Sequence, residues 1–392
     1  MFTRQLAEEL QRSAEQYPVV TLMGPRQSGK TTLIRQLFPN KTYINLEAPN
    51  IRQMVQADPI EFLNQHTSGV ILDEIQRVPE LLSYIQVKID DLEFQGKPCK
   101  GLFILTGSHQ TELHQAIAQS LAGRTAIHRL LPLCFNELNT AGIHLELDEY
   151  LLRGFYPRIY KDNLSPTQMY QGYFETYVEK DIRQLIHIKE LQLFEKFIRL
   201  CAGRIGQILV YQNLSNELGV SGQTIKQWLS VLEASFLVVQ LKPYYENLGK
   251  RLIKSNKLYF TDVGLACYLL GIENVTQLIR DPLRGHLIEN MVILDLIKWQ
   301  FNHGKEPNLY FYRDQHHHEV DVIFKKAHEL IPIEIKASQT FHLDFLKGIE
   351  YFRALNGDRV PTGYLVYTGQ IEQKIQGTKL INYKNATQLF ES

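Results

Sequence analysis

Cysteine is scarce in this chain: there are 4 in 392 residues. Cys99, Cys134, Cys201 and Cys267 lie far apart and form no CxxC pair. That spacing argues against a zinc site and a disulfide framework, and it suits a reducing cytosol. A charge excess of either sign is also missing. The 42 Lys and Arg balance 42 Asp and Glu, so no whole-chain field draws in a polyanion, and any nucleic-acid surface must be a local patch. Long apolar runs are absent too. The longest, such as Phe236 to Val239, fall far short of the roughly 20 residues that cross a bilayer. Residues 1–18 read as an amphipathic charged helix rather than an apolar leader. The expectation is a cytoplasmic protein with no membrane partner. Hydrophobic content of 44% and charged content of 21% are ordinary for a globular chain, and 392 residues exceed one ordinary core, implying two or three domains.

What is present begins with alternation. Between Val19 and about Leu133, short apolar runs at 19–23, 42–46, 69–74, 102–107 and 125–133 alternate with stretches long enough for crossover helices. Continuous apolar strands joined in this way predict a mainly parallel sheet covered on both faces, with ligands at the carboxyl ends of its strands.

The first run leads into Gly24-Pro25-Arg26-Gln27-Ser28-Gly29-Lys30-Thr31, followed by Thr32 and an apolar helix. This is the GxxxxGK[ST] pattern in strand–loop–helix context. Its glycines let backbone N–H groups turn inward onto phosphate oxygens, and the helix N-terminus adds partial positive charge. Lys30 is expected on the β- and γ-phosphates of ATP, and the Thr31 hydroxyl on Mg²⁺. A second motif, Val70-Ile71-Leu72-Asp73-Glu74, is a buried apolar strand ending in two carboxylates. Asp73 is expected beside the metal, with Glu74 as the base that polarises the attacking water. At the end of the strand 102–107, Ser108 is the candidate γ-phosphate sensor with Thr106 as substitute, and helix N-capping is the competing role for Ser108. Arg124 is the candidate arginine finger toward a neighbouring subunit, with Arg77 and Arg153 as rivals, so a homo-oligomer is expected.

These stretches resemble the bacterial and archaeal AAA-superfamily (AAA_14-like) ATPases that carry a C-terminal DUF4143 domain. The matching segments are 24–33, 72–79, 105–108, 120–124, 177–183, 260–271, 285–290 and 333–338. The resemblance implies an AAA-type ATPase joined to a winged helix and a nuclease-like fold; it names no substrate. One departure is the Tyr in Arg153-Gly154-Phe155-Tyr156-Pro157, where relatives tend to run Gly-Phe-Pro directly, and no function is placed there.

The implied organisation is an ATPase domain at 1–140, a helical lid or connector at 141–189, a winged helix at 190–275 and a nuclease-like αβββαβ domain at 276–392. The ring-rich stripe Tyr170, Tyr173, Phe174 and Tyr177 is expected in core. In the third segment, helices at 214–219 and 221–235 precede strands at 236–241 and 257–262. Ser221, Gln223, Thr224, Lys226 and Gln227 would face outward on a recognition helix, and Lys250, Arg251, Lys254 and Lys257 fall in the wing. Such cations could neutralise DNA phosphates and give salt-dependent binding. The competing role is a structural or protein-contact module.

In the last segment Glu289 lies on the opening helix, Asp321 on the second strand, and Glu334 and Lys336 on the third. Residues i and i+2 of a strand share a face, and this set resembles the PD-(D/E)xK nuclease pattern. In that scheme Asp321 and Glu334 hold Mg²⁺, Glu289 supports it, and Lys336 orients water. The fold also serves as a non-cleaving DNA-binding module. His316-His317-His318 cannot all face one point on a strand, and nothing is assigned to it. The sequence thus reads as an ATP-hydrolysing AAA-type protein coupling nucleotide state to DNA engagement. The alternatives are an ATP-gated Mg²⁺-dependent DNA nuclease and a non-enzymatic ATP-dependent protein-interaction switch.

Overall fold

A computed structural model describes residues 2–108, 117, 119–176, 191–245 and 255–391. Helix α1 (Ala7–Gln16) leads into a five-stranded sheet made of β1 (Val19–Met23), β2 (Thr42–Asn45), β3 (Val70–Asp73), β4 (Phe103–Gly107) and β5 (Thr125–Arg129). The spatial order is β2-β3-β4-β1-β5 and every pairing is parallel. β1, β3 and β4 are buried along their whole lengths, which is why their sequences are apolar at every position. Helix α2 (Lys30–Leu37) starts at the carboxyl end of β1, and α3 (Leu81–Phe94) crosses between β3 and β4. β5 ends at Arg129, four residues earlier than its apolar run suggests. The carbonyls beyond it go elsewhere: that of Leu131 accepts from Arg4 at 2.7 Å and that of Leu133 from Lys298 at 2.9 Å.

Short helices at Leu147–Arg153 and Pro157–Lys161 precede α4 (Pro166–Tyr173). Of the aromatic stripe, Tyr170, Tyr173 and Phe174 are buried, and Tyr177 lies outside the described residues, as does the 177–183 segment. Helix α5 (Leu191–Ala202) follows, then α6 (Tyr211–Leu218) and α7 (Gly222–Ala234). Gly219 ends α6 in the left-handed region at φ 68°, where a Cβ is penalised. Ser221 caps α7 by accepting the Thr224 N–H at 3.0 Å. Ile225, Leu229 and Leu232 are buried, while Gln223, Lys226 and Gln227 are exposed.

The hairpin of β6 (Val238–Pro243) and β7 (Lys257–Phe260) comes next, followed by α8 (Val263–Leu269) and α9 (Arg284–Asn302). β8 (Leu309–Arg313), β9 (Glu319–Lys326) and β10 (Glu329–Lys336) form an antiparallel meander. After α10 (Lys347–Asn356), β11 (Gly363–Tyr367) lies parallel to β10, and β12 (Gln373–Ile375) with β13 (Thr378–Asn382) extends that edge. The hairpin does not stand apart from this meander. β6 pairs in parallel with β8 through Lys242–Tyr310 and Pro243–Phe311, giving one eight-stranded sheet, β12-β13-β11-β10-β9-β8-β6-β7.

Helix α9 joins the two sheets. It is buried along most of its length, including Asp295 and Lys298. Asp295 accepts the Phe135 N–H at 3.0 Å, so this helix holds the segment that leaves β5. Burial pushes the Asp295 carboxyl up to about 6, against the pull of the Phe135 N–H and Lys298. Because the native state favours the protonated form, stability falls as pH rises from about 4 to about 6 and stays lower above. The shift corresponds to a cost on the order of 3 kcal/mol. Asp295→Asn keeps an acceptor for Phe135 without the charge. It is expected to melt a few degrees above wild type at pH 8, with the gain shrinking toward pH 5; melting curves at the two pH values check this, and a loss at pH 8 would refute it.

Candidate functional site

The loop between β1 and α2 is held by close backbone contacts. A Cβ at Gly24 would run into the Leu130 carbonyl, so only glycine lets the loop press against the end of β5. Gly29 opens α2 at φ 95°, in the left-handed region. Ser28 is fully buried, its hydroxyl donating to the Pro25 carbonyl at 2.9 Å. The Lys30 ammonium folds over the loop and donates to the carbonyls of Gly24 at 2.8 Å and Pro25 at 3.0 Å. Burial lowers the Lys30 pKa, partly offset by the carboxylates of Glu74 and Asp73.

β3 delivers the acidic pair. Thr31 Oγ1 donates to Asp73 Oδ2 at 2.9 Å, Tyr43 of β2 donates to the same oxygen at 2.6 Å, and Thr106 of β4 donates to Oδ1. Glu74 sits just past the strand at φ 60°, an unusual backbone position for a residue with a Cβ that costs about 1–3 kcal/mol. Its N–H donates to Thr106 Oγ1 at 3.1 Å. Ser108 donates to Glu74 Oε2 at 2.7 Å, and Gln76 donates to both Glu74 and Ser108. Burial alone would raise the Glu74 carboxyl, but Lys30 and the donors Ser108 and Gln76 hold it below the usual carboxylate range. It is therefore an ionised acceptor, as a base must be.

Of these groups, Lys30, Thr31 and Glu74 line a cavity of about 490 Å³, together with Arg26, Pro157, Arg158 and Lys161. Arg26, Lys30, Arg158 and Lys161 make it cationic, with only Glu74 and Asp162 opposing. An adjoining cavity of about 140 Å³ is lined by Phe2, Arg4, Leu33 and Gln36. Sequence reasoning missed Tyr43, Arg158, Lys161 and Arg4. Arg158 and Lys161 follow the Gly-Phe-Tyr-Pro stretch to which no role is given, and only the tertiary fold brings their helix over the loop. Arg4 is buried beneath the loop, donating to Glu137 at 3.0 Å, to the Ser28 carbonyl at 2.7 Å and to the Leu131 carbonyl at 2.7 Å.

Arg124 immediately precedes Thr125, and its carbonyl accepts the Val19 N–H at 3.1 Å. It therefore lies at the amino end of the sheet, opposite the loop, paired with Asp90 at 2.6 Å. Arg77 lies 3.9 Å from Glu47, which also pairs with Arg26 at 3.0 Å.

Of the cations expected to face DNA, Lys226 is exposed on α7, and Lys250, Arg251 and Lys254 lie outside the described residues. Lys257 is a correction. It is 3% exposed, with its ammonium 2.6 Å from Glu319 and 3.3 Å from Glu289. The side chain points into the sheet's own acidic cluster.

That cluster brings together Glu289, Asp321, Glu334 and Lys336. Lys336 bridges Asp321 at 3.3 Å and Glu334, and Asp321 Oδ2 also accepts the Ile335 N–H at 2.8 Å. Tyr259 donates to Glu289 at 2.5 Å, and His286 Nδ1 lies 3.5 Å from its other oxygen. His316, His317 and His318 are exposed in the β8–β9 turn, with His318 on Asp314 at 2.9 Å. The four cysteines are free thiols and all buried. Among the described residues no helix is long and apolar enough to cross a membrane.

Comparison with known proteins gives three consecutive matches. Residues 16–139 match an AAA domain, 144–276 a domain of unknown function (DUF8612) and 284–386 a domain of unknown function (DUF4143). An uncharacterised protein of Mycobacterium tuberculosis is 30% identical over 342 residues, spanning 86% of this chain and 74% of its own. One from Haemophilus influenzae is 24% identical, spanning 81% and 82%. Among solved structures, a Walker-type ATPase of Pyrococcus abyssi aligns with a TM-score of 0.44 at 16% identity, covering 69% of this chain and 96% of that one.

Proposed function

This chain belongs to the family that joins an AAA domain to DUF4143, and on that premise we propose that it hydrolyses ATP and couples nucleotide state to DNA engagement. The observation that carries the reading is the cationic 490 Å³ cavity lined by Arg26, Lys30, Thr31, Glu74, Arg158 and Lys161. Thr31 donates its hydroxyl to the buried Asp73 at 2.9 Å, and Glu74 is held below the usual carboxylate range.

That donor set fits a triphosphate with a divalent cation. Thr31 and Asp73 would hold Mg²⁺, which when bound neutralises charge on the phosphates. The backbone N–H groups of residues 24–32 and the Lys30 ammonium would cradle the phosphates once Lys30 leaves the Gly24 and Pro25 carbonyls. Glu74 accepts a proton from the attacking water. Ser108 and Gln76 keep its carboxylate oriented, and Ser108 would exchange that bond for one to the γ-phosphate. Arg158 and Lys161, carried by the segment after Tyr156, would close the cavity on the loaded site. Arg124, at the far end of the sheet, could serve only a neighbouring subunit.

DNA engagement is assigned to residues 190–275, read as a winged helix, with the 276–392 unit as its nuclease-like neighbour. The support is the α6–turn–α7 pair with exposed Gln223, Lys226 and Gln227, followed by the β6–β7 hairpin. ATP hydrolysis at low salt, measured with no DNA and with duplex, forked and single-stranded DNA, tests the coupling. Severalfold stimulation by one form, fading as salt rises, is the expected result. Turnover unmoved by every DNA would sink the coupling and leave a protein partner as the thing sensed.

A further inference from the structure

We propose that the carboxylate cluster of the C-terminal sheet is closed to divalent cations by this chain's own ammonium groups, with Lys257 as its resident cation. The residue types fit a Mg²⁺ centre; their arrangement does not. Four carboxylates meet here, those of Glu289, Glu319, Asp321 and Glu334, and each already has a cation. Lys257 lies between Glu319 at 2.6 Å and Glu289 at 3.3 Å, Arg313 adds a contact to Glu319 at 3.3 Å, and Lys336 bridges Asp321 and Glu334. Three positive charges thus stand among four carboxyl groups before any ion arrives.

The oxygens are occupied as well. Glu289 has Lys257 and Tyr259 on one oxygen and His286 on the other. Glu334 is 5% exposed, one oxygen bound by Lys336 and the other packed where a Cβ at Gly348 would fall. Among the described residues no three His, Cys, Asp or Glu converge as a metal set.

Lys257 cannot simply swing aside. Its backbone is fixed between β6 and Ile208, opposite Leu241, and its ammonium lies 5.6 Å from the Phe311 ring centre. A dication entering beside Asp321 would face this 4%-exposed side chain. The lysine from the hairpin therefore supplies the counter-charge that an ion would otherwise bring, and it fastens β7 to α9 in doing so. On this reading the unit contacts its partner without cutting it.

Mn²⁺ titration of the full chain without nucleotide, followed by electron paramagnetic resonance, tests this. Wild type and Asp321→Asn are expected to bind Mn²⁺ identically through the low-millimolar range, the comparison cancelling any ion taken by Thr31 and Asp73. Lys257→Met is expected to bind one more Mn²⁺ per chain, lost again when Asp321→Asn is added. A wild-type site that Asp321→Asn removes would overturn the proposal, as would plasmid nicking that depends on Asp321. A folded Lys257→Met that gains no Mn²⁺ would overturn it too. Should that variant fail to fold, the wild-type and Asp321→Asn pair decides alone.

Discussion

Glu74→Gln is expected to keep nucleotide binding and to lose turnover by about 10²–10⁴-fold, the range a positioned general base supplies. The side chain is held just past β3 by Ser108 and Gln76, so a glutamine of the same shape stays in place while losing the ability to accept a proton. Binding persists because the loop backbone, Lys30 and Thr31 are untouched. The two readouts are the steady-state hydrolysis rate and a fluorescent-nucleotide titration at neutral pH. A variant that hydrolyses ATP within threefold of wild type would move the base elsewhere. One that loses binding as well would mean the Glu74 charge is needed chiefly to keep the buried Lys30 protonated, since burial already lowers that lysine and Glu74 is its main electrostatic support.

Arg4→Met is expected to destabilise the chain by about 3–5 kcal/mol, the cost of breaking a buried ion pair by removing one member. Arg4 and Glu137 have side-chain exposures of 5% and 0%. Glu137 also accepts the backbone N–H groups of Gln5 at 2.9 Å and Cys134 at 3.1 Å, so the carboxylate cannot leave when the guanidinium does. The carbonyls of Ser28 and Leu131 lose their donor together with it. Urea unfolding of Arg4→Met, Glu137→Gln and the double variant checks the claim. The double variant should recover part of the loss, because an amide is easier to bury alone than a carboxylate. A single variant within 1 kcal/mol of wild type would mean that water enters and solvates the gap. Because Arg4 holds the Ser28 carbonyl beneath the phosphate loop, nucleotide affinity should fall in parallel.

The phosphate loop and the acidic strand were legible because their chemistry is local. A cradle of inward N–H groups needs glycines at fixed offsets, and a fully buried parallel strand must be apolar until its last residues. The five N-terminal strands and the α6–Gly219–Ser221–α7 turn follow from the same kind of contiguous signal. Arg158, Lys161 and Arg4 carry no such signal; they reach the loop only because the helix Pro157–Lys161 and the segment before α1 pack against it in the tertiary fold. Lys257 shows the opposite failure. Its neighbours Lys250, Arg251 and Lys254 make it read as one of a basic wing, but it opens β7, and the inward face of that strand meets Glu289 and Glu319. Alternation along a strand decided its direction, and the register of β7 against β6 could not be read from composition.

The continuous eight-stranded sheet changes what counts as a separable piece of this molecule. The DUF8612 match ends at residue 276 and the DUF4143 match begins at 284, which invites excision between them. A cut there would strip β8 from β6, leaving the backbone edge at Lys242 and Pro243 open to pairing with a stranger. It would also leave Lys257 without Glu289 and Glu319, and take Asp295 and Lys298 from the segment that leaves β5. Modules drawn from sequence similarity record how such genes are assembled; here the polypeptide has been stitched across the seam, and the smallest portable unit is larger than either patch.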